Sequence, residues 1–106
     1  DTSLTICENA FNNCTAAGVV LDGAKRVVVK TNSFADFSGS ATPIRAAASY
    51  SIIADNTISR KVIDATQADI VLTGSDALSV SGNVMDGRIV TDSATRIAES
   101  SNLKAE

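Results

Sequence analysis

Hydrophobic and polar positions along this chain repeat on two scales. The short scale is two residues: Leu4 and Ile6, Val27 and Val29, and Leu78 and Val80 alternate with polar or outward-tolerant neighbours, the mark of a strand with one buried face. The long scale is set by Asn. An aliphatic residue, two spacers, Asn, one spacer and an apolar residue recur as Ile6 to Phe11, Val29 to Phe34, Ile53 to Ile58 and Val80 to Met85. The markers Asn9, Asn32, Asn56 and Asn83 lie 23, 24 and 27 residues apart. A repeat of about 24 residues suits a coil of three short strands and three turns, stacked on its neighbours. The pattern predicts an all-β, parallel stack of about four coils, at 3–26, 27–50, 51–76 and 77–98, followed by a terminal segment.

Each position has a physical role in such a stack. Asn tolerates the left-handed backbone that most residues avoid, so it is expected at a sharp turn. Its amide is expected to bond to the equivalent Asn in the next coil, making a ladder of Asn9, Asn32, Asn56 and Asn83. Phe11, Phe34, Ile58 and Met85 then point inward as one column. The third copy is weaker, because Ser51 stands where Leu4, Val27 and Leu78 stand in the others.

Further strands are predicted at Val19–Leu21, ending at Asp22-Gly23, and at Ile70–Leu72, ending at Thr73-Gly74. Ile44 and Ile97 are expected in comparable places, with Ile97 aligned to Ile70. Thr42–Tyr50 reads as strand plus turn, with a short Thr-capped helix as the alternative. The tail from Ser93 reads as the start of another coil or as a terminal helix. Counting from the Asn markers places Asp22 beside Arg45 and Asp69 beside Arg96, as opposite charges one rung apart.

Composition narrows the function. Hydrophobic residues make up 44% of the 106 but aromatics only 4%, so the core must be aliphatic and closely layered. A net charge of −3 with scattered basic residues argues against a nucleic-acid surface. No apolar stretch reaches the roughly 18 residues of a membrane span, so no membrane insertion is expected. The absence of His excludes a His-based triad or a His-ligated metal, and no metal or cofactor is expected. Cys7 and Cys14 read as free thiols packed as small hydrophobes. The opening Asp1-Thr2-Ser3-Leu4 has no leader-peptide character and is expected to be mid-protein sequence.

The aliphatic–x–x–Asn–x–apolar pattern over residues 3–98 resembles the single-stranded right-handed parallel β-helix of pectin-lyase-like proteins, which include pectate lyases, polygalacturonases and phage tailspikes. With few aromatics and no His, the chain is most similar to part of a tailspike. That resemblance implies a structural and receptor-binding segment of a homotrimer, located on a virion tail or outside cells, with bacterial surface polysaccharide as partner. A polysaccharide lyase or glycoside hydrolase fragment and a secreted β-helical adhesin are the alternatives.

Candidate chemistry is sparse. Glycosidases use two carboxylates about 5–9.5 Å apart, and coil stacking is expected to gather Asp36, Arg60 and Asp86 into one charged column, flanked by Lys61 and Arg88. Arg60 or Lys61 could act there as the base of a lyase, or the column could be a surface salt bridge. Tyr50 is the candidate carbohydrate-binding residue, because Phe11 and Phe34 belong to the core. The calcium-binding and catalytic motifs of pectate lyases are not visible.

Overall fold

The computed structural model describes residues 3–63 and 66–104. Within them the regular structure is strand. The first strand, β1 (Leu4–Cys7), is followed by β2 (Ala10–Asn12), β3 (Ala17–Lys25) and β4 (Val27–Lys30). The next turn is β5 (Ser33–Phe37) and the long β6 (Thr42–Ala54), which bends through a corner and serves two sides. Then come β7 (Thr57–Arg60), β8 (Ala68–Thr73) and β9 (Asp76–Ser81), and finally β10 (Val84–Met85), β11 (Arg88–Asp92) and β12 (Thr95–Ser100).

Every pairing between these strands is parallel, as a chain winding around a closed path requires. One face stacks β1, β4, the second half of β6, β9 and β12. A second stacks β2, β5, β7 and β10. The third stacks β3, the first half of β6, β8 and β11. The molecule is therefore a three-sided β-solenoid. Thr42–Tyr50 is strand, and the tail from Ser93 continues the stack through β12.

Alternation along each strand sends one set of side chains into a shared interior, in vertical columns. Val29, Ile53 and Val80 are in register on the first face, and Val19, Ile44, Ile70 and Ile89 on the third. Phe11, Phe34, Ile58 and Met85 form the column on the second. Its two rings stack at 4.8 Å between centroids and 7° between planes. Gly18 leaves room for that column: a Cβ there would lie 2.8 Å from the Phe34 ring. Ser51 is buried in the Val27 and Leu78 column because its hydroxyl accepts the Val27 N–H at 3.0 Å and donates to the Ser49 carbonyl at 2.9 Å.

The corners are where the sequence expectation changes. The left-handed residue is not the Asn but the one before it: Glu8, Thr31, Asp55 and Ser101 have φ of 54–58° and Gly82 has 67°. That turn frees the Asn side chain to point inward. Each Asn Oδ1 accepts both the backbone N–H and an Nδ2–H of the Asn one rung earlier, at 2.9–3.2 Å from Asn9 through Asn83. The last acceptor is Asn102, 19 residues beyond Asn83. The remaining Nδ2–H bonds a strand carbonyl of the rung before, as Asn56 does to Val29 at 3.1 Å.

Two registers differ from those counted off the Asn markers. Ile97 lies over Leu78, and it is Ile89 that lies over Ile70. Asp22 lies beside Ala47 and Arg45 beside Val20, so Asp22 and Arg45 are not register neighbours. Asp69 is bonded to Arg60, and Arg96 to Asp76. The cause is the arc from each Asn to the first inward residue of the third face. It runs from Asn9 to Val19, Asn32 to Ile44, Asn56 to Ile70 and Asn83 to Ile89, which is 10, 12, 14 and 6 residues. The rest of each turn stays nearly constant.

Candidate functional site

Arg60 is the first candidate, and a bulge decides its placement. β5 pairs with β7 as Phe34 to Ile58 but Phe37 to Arg60, one extra residue on the β5 side. The extra residue lets Asp36 turn outward with φ 58°. Arg60 then shares the inward register of Phe37, because a one-residue slip exchanges the two faces of a strand. The expected exposed column of Asp36, Arg60 and Asp86 is therefore not formed. Asp36 is exposed, Asp86 half-buried, and the Arg60 side chain has no accessible surface.

The interior around Arg60 engages four of its five N–H donors. Its Nε donates to Asp69 at 2.6 Å, Nη1 to the Ser38 carbonyl at 2.8 Å, and Nη2 to the carbonyls of Ala41 and Ala68 at 2.8 and 2.9 Å. The other Asp69 oxygen accepts the Gly87 N–H at 2.5 Å. Burial pushes the Asp69 carboxyl above its ordinary value, against the opposing pull of Gly87 and Arg60. Asp86 touches Arg60 only through the backbone, accepting its N–H at 2.9 Å. The Arg60–Asp69 pair, without exposed side-chain surface, is a clamp across three rungs, and its guanidinium has no route to act as a base on substrate. Lys61 and Arg88 are exposed beside it.

Tyr50 sits on a different corner. The left-handed residues Arg26, Tyr50, Ala77 and Arg96 mark that corner in successive rungs, with φ of 50–61°, and such residues project outward. Tyr50 is 58% exposed, while Phe34 and Phe37 are at 1% and 0%. Ala77, in register between Tyr50 and Arg96, has too short a side chain to separate them. Arg96 crosses that gap, its guanidinium carbon 5.7 Å from the Tyr50 ring centroid and its Nη2 3.5 Å from the hydroxyl.

Arg96 is itself held by Asp76, with Nε and Nη2 donating to the two carboxylate oxygens at 2.8 and 2.5 Å. The Thr95 hydroxyl donates to the same carboxylate at 2.8 Å. These bonds, the Arg96 one foremost, lower the Asp76 carboxyl to about 2 and raise the Arg96 guanidinium. The result is an aromatic face fixed beside a forked donor, next to the outward row of Val28, Ile52 and Ser79. Ile52 is 43% exposed in that row. Asp76 and Arg96 were not visible as partners of Tyr50, because only the short residue at 77 lets them meet across two rungs.

Among the described residues, no group of three or more His, Cys, Asp or Glu side chains comes together as a metal site. Both cysteines are free and half-buried. Comparison with protein families then decides the class. A family model described as "Right handed beta helix region" matches residues 1–106. The chain belongs to this right-handed β-helix family. No curated protein and no solved structure matches it. In this β-helix the Asn file and the Arg60 clamp serve the stack, whereas the Tyr50 corner is exposed.

Proposed function

We propose that this β-helix is a structural and receptor-binding segment of a trimeric tailspike-like protein, and that its Tyr50 corner binds bacterial surface polysaccharide. The exposed, immobilised Tyr50 ring carries this reading. A sugar ring offers a weakly apolar C–H face and a rim of hydroxyls. An aromatic face beside fixed Arg and Asp groups meets both, because Tyr presents an apolar body with a polar tip. Arg96 and Asp76 hold the ring at little further entropy cost on binding. The row of Ile52 and Ser79 extends the surface along the helix axis, the direction in which a polymer would lie. The enzymatic alternative through Asp36, Arg60 and Asp86 loses support, since the guanidinium faces the core.

The chain has one Tyr and no Trp, so its tyrosine fluorescence reports Tyr50 alone. Titrating a panel of bacterial capsular and O-antigen polysaccharides is expected to change that signal saturably for at least one. By calorimetry, Tyr50→Ala is expected to weaken the same binding about tenfold or more, equivalent to about 1.4 kcal/mol. An unresponsive panel, or undiminished binding by Tyr50→Ala, removes the proposal.

A further inference from the structure

We infer that the ligand of the Tyr50 corner is a branched polysaccharide, whose side branch lies in a cleft running along the rung of β6 from Tyr50 to the third face. This rests on the saccharide reading of Tyr50 and deepens it. The cleft comes from one missing residue. Leu21, Ala46, Leu72 and Thr91 are register neighbours on the third face. Lys25, Ser49, Asp76 and Thr95 are register neighbours beyond the next corner. The path from the first set to the second is four residues in three of the rungs, but three from Ala46 to Ser49. The strand β6 therefore cuts this corner short.

The rungs on either side bulge past it. Gly23 below and Gly74 above are left-handed, at φ 70° and 62°, and a Cβ on either would meet nothing within 4 Å. Both glycines stand out into solvent as the banks of the cleft. Between them the floor is Ala47 and Ala48, too small to fill it. A hollow lies toward each end of this floor. The one on the third face has Val20 and Val71 as aliphatic walls, with Asp22, Arg45 and Thr73 around it. The other runs over Ala48 to Lys25 and Ser49, and Ser49 is the residue before Tyr50. Asp22 and Ala47 line both hollows, which makes them one continuous cleft.

The lining has the chemistry of a sugar site. Asp22 and Arg45 are both exposed, and among the described residues no ion pair joins them. A carboxylate accepts from sugar hydroxyls and a guanidinium donates to sugar oxygens, while Val20 and Val71 meet a C–H face. Opposite charges on one small hollow cancel, so they favour a neutral sugar over a charged one. Lys25 and the Ser49 hydroxyl continue the polar line toward Tyr50. Each hollow holds about 320 Å³, the lower end for small-ligand sites, which suits a single sugar residue. Direction then sets the branching. The row of Ile52 and Ser79 leaves Tyr50 along the helix axis, whereas the cleft leaves it around the helix. An unbranched chain follows only one of these arms; a main chain with a short neutral branch follows both.

The test is calorimetry with those capsular and O-antigen polysaccharides that change the Tyr50 signal, each intact and after exoglycosidase removal of its side branches. Trimming is expected to weaken binding to wild type about tenfold or more. Asp22→Ala with Arg45→Ala is expected to bind intact polymer as weakly as wild type binds the trimmed one. Ala47→Leu, which fills the floor, is expected to do the same. Far-UV circular dichroism checks the fold of each variant, and the trimming comparison needs no variant at all. Equal binding of trimmed and intact polymer overturns the inference and leaves the Tyr50 reading standing, as does a response confined to unbranched polymers. Folded variants that keep the wild-type preference for intact polymer overturn the choice of cleft. A panel silent at Tyr50 removes both readings together.

Discussion

One side-chain amide does three things in each turn of this β-helix. Asn56, at 0% exposure, accepts two bonds from Asn32, donates to Asn83 and donates to the Val29 carbonyl. Removing it strands buried donors and an acceptor together, each costing about 1–3 kcal/mol. Asn56→Ala is therefore expected to lower stability by about 3 kcal/mol or more in urea unfolding. Asn9→Ala, at the exposed end of the file, is expected to cost less than about 1 kcal/mol. Equal losses at the two sites would show that the ladder does not act as described.

Asp76 gives a second prediction at the same scale. Its carboxyl is lowered from 3.8 to about 2 in the folded protein. A depressed carboxyl contributes stability that is fully present above the unfolded value and is lost as pH falls through the folded one. The stability contribution is thus expected to fade between pH 3.8 and about 2, and the Tyr50 signal of the folded corner to hold from neutral pH and change as pH falls through about 2. Circular dichroism at each pH separates release of the corner from unfolding. Asp76→Asn is expected to abolish the step.

At the scale of elements, the difference between what could be read and what could not comes from where residues are inserted. The strands that precede the Asn markers, and the apolar column two residues after them, keep a constant offset from Asn. Val29, Ile53 and Val80 were therefore legible as one stack. The third face follows an arc of changing length, so Ile97 and the charges at Asp22, Arg45, Asp69 and Arg96 were misaligned by counting. Asn102 escaped notice for another reason. The two apolar positions around it hold Glu99 and Lys104, which form an ion pair with each other.

The candidate sites divide in the same way. Tyr50 could be singled out because the other aromatics belonged to strands, whereas its neighbours Asp76 and Arg96 depend on the small residue at 77. Arg60 was misplaced by a bulge that no propensity marks. Its clamp makes a prediction of its own. Arg60→Met leaves Asp69 buried without its cation, and breaking a buried pair from one side typically costs about 3–5 kcal/mol. Thermal or urea unfolding checks this, and a loss below about 1 kcal/mol would mean that water reaches Asp69.

As a whole molecule, the β-helix measures 36 × 26 × 22 Å, and each rung touches chiefly the rungs above and below. Stability in such an array is close to a sum of rung and nearest-neighbour contributions, and opening starts where a neighbour is missing. Hydrogen exchange is expected to be slowest in β4, the second half of β6 and β9, and fastest in β1 and β12. Uniform protection along the stack would point to all-or-none opening.

The Asn file also has a direction. Every side-chain oxygen faces the rung before it, and every backbone N–H of the file faces the rung after. The amide dipoles add along the axis, and bonds in such a chain polarise one another. One end of the column thus presents an acceptor and the other presents donors. A coil added beyond Asn9 must bring N–H groups, and one added beyond Asn102 must bring an oxygen. Two such stacks brought together by their like ends would set acceptor against acceptor or donor against donor, so lengthening this column is vectorial, like adding a unit to a polar filament.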